Sequence, residues 1–254
     1  MTYFTQDDHK TVLLVRSHPG DTTLERVSKR MDDLHRKLHS RIKQYSLMLT
    51  PFPESGLSNH TNTSPLPTDT MSLVYSRTPA EALTVERIIG RETQHHTETQ
   101  IFLHPTLEVR LLPTHLAVEL VVAPDARYDQ QNFVGKLSLH QHRDTFFRVL
   151  SRLGSGFMLG FWAGNHLDSM HLNTEQLPPA RILFEYLDTF AAGRDYFRVG
   201  RWYDPQDAAL GEDLIVNEIF QRLRQLYTVY DFLRWTSDNN FHSFYQKSRS
   251  KATD

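Results

Sequence analysis

Residues 194–235 read RDYFRVGRWYDPQDAALGEDLIVNEIFQRLRQLYTVYDFLRW. In a strand Tyr196, Arg198, Gly200 and Trp202 face one side, and Phe197, Val199, Arg201 and Tyr203 the other, because side chains alternate with period two. Both faces are mixed in character. Asp204-Pro205 stops the ladder, since proline has no N–H to donate and disfavours helix at the residue before it. Gly211, Glu212 and Asp213 then put acidic groups where a helix N-terminus is positive. A helix follows, with Val216, Ile219, Phe220, Leu223, Leu226, Tyr227, Tyr230 and Leu233 at steps of three and four.

Upstream, residues 100–122 read as a hairpin. Ile101, Leu103, Leu107, Val109 and Leu111 precede Pro113-Thr114, and Leu116, Val118, Leu120 and Val122 follow it, an alternation rich in β-branched residues. Glu108, Arg110, His115 and Glu119 fall on the more polar face. Helices are expected over 129–139, 142–153 and 180–192, a short one from Thr78-Pro79 to Ile89, and a strand over 156–163. The expected fold is α+β, a mainly antiparallel sheet of 100–122, 156–163 and 196–203 flanked by helices. One sheet face would meet helices and the other would be partly open.

Strand, Asp-Pro turn, acidic start and a helix closing on Leu226-Tyr227-x-x-Tyr230 resemble the C-terminal end of the YktB-like family of uncharacterised bacterial proteins. In that family a V-G-R strand, here Val199-Gly200-Arg201, precedes a similar helix. The same order is similar to the end of the N-terminal recognition domain of McrB-like restriction proteins. The likeness covers about a sixth of the chain. The first family implies an α+β fold without a known activity; the second implies nucleic acid as a partner.

Composition narrows the field. The chain has 254 residues, enough for one substantial core, and a formal net charge of −2, so any attraction to nucleic acid or anionic lipid must come from a local patch. It has no cysteine, which excludes disulfides, thiolate metal sites and a cysteine nucleophile. No apolar run approaches the ~20 residues of a membrane helix, and MTYFTQDDHK is too polar for a secretory signal. A cytoplasmic protein without a membrane partner is expected.

Near the start, residues 10–15 are expected to form a short strand or to lead into the His18-Pro19-Gly20 turn. Leu24, Val27, Met31, Leu34, Leu38, Ile42, Tyr45 and Leu49 then predict a long N-terminal helix over 22–49. Its polar side carries seven Lys or Arg against three acids. That side is a solvated face or a nucleic-acid surface, with Arg30, Lys37 and Arg41 on phosphates. Residues 51–70, rich in Pro, Ser, Thr and Asn, read as a loop or linker. The expected organisation is a helical arm over 1–50, the linker 51–70, an α+β domain over 71–240 and a polar tail over 241–254. Such an arm could make a homodimer.

Three motifs invite chemistry. Gly154, Gly156 and Gly160 are spaced Gly-x-Gly-x-x-x-Gly, one residue too long for a dinucleotide fingerprint, and read as strand glycines. Among fourteen histidines, His140 and His142 would share a strand face, and His166, Asp168 and His171 could complete a divalent metal site for metal-assisted hydrolysis. No other cofactor is expected. Trp162, Tyr196, Arg198, Arg201, Trp202 and Tyr203 gather arginine donors beside stackable rings, which suits a small anionic ligand, a nucleobase or a protein partner. The sequence therefore favours a non-catalytic binding or interaction module on the aromatic and arginine surface. A histidine-based hydrolase or nuclease and a nucleic-acid-binding domain are the alternatives.

Overall fold

A computed structural model describes residues 2–14, 22–51, 57–58, 70–88 and 102–241. In chain order these form α1 (Gln6–Thr11), α2 (Thr22–Gln44), β1 (Thr50–Pro51), β2 (Leu57–Ser58), β3 (Met71–Ser76), α3 (Pro79–Ile88), β4 (Thr106–Leu111), β5 (Leu116–Val122), α4 (Arg127–Leu137), α5 (His140–Ser151), β6 (Phe157–Gly160), β7 (Leu172–Asn173), α6 (Ala180–Leu187), β8 (Phe197–Tyr203) and α7 (Ile215–Leu233). The expected linker and tail lie almost wholly outside the described residues. None of the described helices is long and apolar enough to cross a membrane.

The strands make one sheet in the order β1-β3-β4-β5-β8-β6-β7, with β2 also on β3. Every pairing is antiparallel among the described residues. This is the α+β architecture that the alternation predicted. Register follows from the hydrophobic pattern, because a slip of one residue would turn each strand's apolar set to the wrong side. Leu73 of β3 meets Val109 of β4, Val109 meets Val118 of β5, and Leu120 of β5 meets Val199 of β8. On this face α7 lies across β4, β5 and β8, while α2, α4 and α5 pack against α7. Ile219, Phe220, Leu223, Leu226, Val229, Tyr230 and Leu233 of α7 are buried there.

The expected helical arm is packed into this same core. Val27, Met31, Leu34, Leu38 and Ile42 of α2 are fully buried in one cluster with the sheet and α7, so the stripe that would have served a second copy is consumed within the chain. The helix also ends at Gln44 rather than 49, because Ser46 takes a left-handed φ of 53° and turns the chain toward β1. Of the two readings of 10–15, the short strand does not form over the described residues: α1 and a 3-10 turn over Val12–Leu14 occupy 6–14, and the His18-Pro19-Gly20 turn lies outside the described residues. The signal was a capping box: Thr5 caps the helix through the Asp8 N–H, and the Asp8 carboxylate accepts from the Thr5 N–H at 2.8 Å.

The second sheet face is covered over β3, β4 and β5, every residue of which is buried, and stays partly open at Met158 of β6 and Trp202 of β8. The cover comes from the chain after β6, where the Gly164 carbonyl and the Asn165 side chain reach the sheet's arginines.

Candidate functional site

Three cross-strand rows make up the second face. Ser72, Arg110, Ala117 and Trp202 form one; Val74, Glu108, Glu119, Gly200 and Met158 the next; Thr106, Val121, Arg198 and Gly160 the third. The register sets Glu108 directly opposite Glu119, which destabilises a sheet unless cations intervene. Arg110, two residues along β4, and Arg198 on β8 supply them. One oxygen of Glu119 accepts from Arg110 Nη1 at 2.9 Å and from Arg198 Nη2, and the other from the Trp202 indole N–H at 2.8 Å. Burial alone would push the Glu119 carboxyl up, but Arg198, Arg110 and the indole outweigh it and hold the group below its ordinary value.

Two glycines allow this packing. A Cβ at Gly200 would lie 2.4 Å from Glu119 Cγ, and one at Gly160 would lie 2.7 Å from the Trp162 ring. Glu119 and Trp162 therefore lie flat over bare backbone. Trp162 folds back so that the Arg198 guanidinium sits 5.4 Å from its ring centroid, and Trp162 meets Trp202 edge-on at 6.4 Å. His115 stacks on Trp202 at 4.3 Å. Burial, with Arg110, His166 and His9 nearby, lowers the His115 pKa to about 4 against the pull of Glu119.

The network leaves polar atoms over. Ser72 Oγ, Glu108 Oε2, Arg110 Nε, Trp162 Nε1, Arg198 Nε and His115 Nε2 are buried and have no hydrogen-bond partner. Such an atom costs about 1–3 kcal/mol, so buried polar groups are normally satisfied by protein, water or ligand. Both oxygens of Glu119 are occupied, so it is poorly placed to take a proton from a substrate.

Of the residues singled out from the sequence, Trp162, Arg198 and Trp202 come together here. Tyr196, half-buried, precedes β8 near Arg198, Asp125 and Glu108, and its hydroxyl pKa is raised chiefly by burial. Arg201 and Tyr203 do not join them, because they occupy the odd positions of β8 and point to the helix side. There Tyr203 donates to Glu218 at 2.7 Å, and Arg201 lies 4.9 Å from the Tyr203 ring centroid and 3.9 Å from Glu218. Glu108, Arg110 and Glu119 were legible as the polar positions of the hairpin, yet nothing local showed that they meet Arg198. Ser72 and Asn165 carried no signal.

The histidines disperse. His140 and His142 lie on α5, not on a strand, and residues two apart on a helix point roughly 200° apart. His140 is exposed beside Asp144, while His142 packs toward Phe232. His166 and Asp168 are exposed, and His171 faces the Asp168 carbonyl. Among the described residues no three His, Asp or Glu side chains converge as a metal site requires. On α2, Arg30 pairs with the buried Asp8 at 2.9 Å, Lys37 with Asp33 at 2.7 Å, and Arg41 bonds the Asn217 side chain. A cleft of about 140 Å³ between α4, α5 and α6, floored by Phe133 and Phe190, lies away from the polar face, with the Arg143–Asp188 pair among its lining. Neither a protein-family model nor a curated protein sequence matches the chain.

Proposed function

We propose that the chain is a non-catalytic binding module whose recognition surface is the polar sheet face, and that its ligand is small and polar. On the resemblance of residues 194–235 and the absence of cysteine, we place it in a bacterial cytoplasm. The observation that carries the reading is the concentration of unpartnered buried polar atoms on one face, beside Trp162 and Trp202. A purely structural ion network would serve as well with apolar residues of similar volume. A ligand with its own donors and acceptors gives those atoms a use.

The test is a thermal-shift and calorimetric survey of small metabolites on the intact chain. At about 100 times its dissociation constant, a true ligand should raise Tm by roughly 5–10 °C. Arg198→Met should abolish that shift, while Arg30→Gln and Lys37→Gln should leave it. A chain that no metabolite stabilises would sink the reading.

A further inference from the structure

The cleft between α4, α5 and α6 is independent of the polar face, because Phe133 in its floor packs on Phe197, which points to the helix side of β8. Its volume is about 140 Å³, and Phe133, Leu137, Leu187 and Phe190, all buried, form its inner wall. A water held there would need about two to four polar partners, and these four side chains supply none. Apolar cavities of about 150 Å³ lined by such residues stay dry and take up benzene. The space suits one six-membered ring.

The mouth of the cleft is polar. Arg143 donates through Nη2 to both oxygens of Asp188, at 3.0 and 3.2 Å, and through Nε to the Leu137 carbonyl, so Nη1 has no hydrogen-bond partner among the described residues. The guanidinium is held 5.1 Å from the Phe184 ring centroid, and the Asp188 oxygens keep further lone pairs. This ion pair is open to a ligand, since 33% of the Arg143 side chain and 54% of the Asp188 side chain are exposed. A donor and an acceptor whose charges cancel therefore stand beside an apolar recess. One hydroxyl can serve both, accepting from Arg143 and donating to Asp188, whereas a carboxylate could only accept and would meet the Asp188 charge. We infer that the cleft takes a small neutral ring bearing a hydroxyl, the phenol class. The ring lies against Phe133 and Phe190, and the hydroxyl sits at the Arg143–Asp188 pair.

The experiment follows leucine methyl signals of the intact chain at pH 7 by carbon–proton correlation NMR. Leu137→Ile and Leu187→Ile assign the two signals of the cleft. Phenol and benzoate are titrated separately. Phenol should move both signals and leave that of Leu73 in β3, with a dissociation constant of about 1 mM or below, and benzoate should bind about tenfold more weakly or worse. Two variants at exposed positions complete the test. Val134 is 42% exposed in the cleft lining, so Val134→Trp fills the recess with its own ring and should abolish the phenol shifts. Asp188→Asn leaves Arg143 unbalanced and should tighten benzoate about tenfold. Unmoved Leu137 and Leu187 signals, or phenol shifts that persist in Val134→Trp, would overturn the site. Benzoate matching phenol on the wild-type chain, or gaining nothing from Asp188→Asn, would overturn the ligand class.

Discussion

Glu119 is acceptable in the middle of a sheet only because three donors from two strands converge on it. Removing its charge leaves Arg198 buried without its close counterion and Arg110 with Glu108 alone, 3.8 Å away, so Glu119→Gln should cost about 3–5 kcal/mol, read from urea unfolding. Replacing Glu108, Arg110, Glu119 and Arg198 together by Gln, Met, Leu and Met should cost far less, because no charge is then stranded. A single substitution as mild as the fourfold one would show that the ion network is not tightly coupled. The polarity of Glu119 was legible from its place in the hairpin. Its partners were not, since Arg198 lies 79 positions further on and alternation says which side a residue faces, not what waits there.

Among the elements, α7 was the most legible, because its stripe repeats with helical period over nearly its whole length. How it ends was not legible. Its last carbonyls have no acceptor role left within the helix, and α4 supplies the donors. Asn132 Nδ2 donates to the carbonyls of Leu233 at 3.0 Å and Asn239 at 2.9 Å, and Lys136 Nζ donates to that of Phe232 at 2.6 Å. Burial lowers the Lys136 pKa to about 8, although Asp231 opposes the shift. Asn132→Ala should therefore cost about 1–3 kcal/mol, and hydrogen exchange should quicken at the C-terminal turn of α7 before it does in β5. Uniform exchange in the variant would contradict capping by α4. For α2 the stripe again revealed the helix, while the surface that it covers was beyond reach of periodicity.

For the molecule as a whole, acid is the informative perturbation. His35, whose Nδ1 lies 3.0 Å from the Tyr75 hydroxyl, has its pKa lowered to about 4 by burial and by His39, and His115 is lowered likewise. The unfolded chain, with ordinary values near 6.5, binds these protons more readily, so stability is greatest above about pH 6.5 and falls as pH drops toward 4. The two rings together should account for up to about 7 kcal/mol. Below that, Asp8 and Glu119, both held below their ordinary values, lose their ion pairs and add to the loss. Urea midpoints at stepped pH should show the upper limb, and His35→Gln should flatten it; an unchanged limb would place its origin elsewhere. Because α2 shares the core, unfolding should be a single transition. From the chain alone one reads the helices, the hairpin and which side of each strand is polar, because these follow from periodicities of two and 3.6 residues. Covering of the polar face over β3 to β5, capture of α2 into the core and the meeting of Glu108, Arg110, Glu119, Arg198 and Trp162 depend on which strands become neighbours. Contacts between residues tens of positions apart settle that, and no local pattern encodes them.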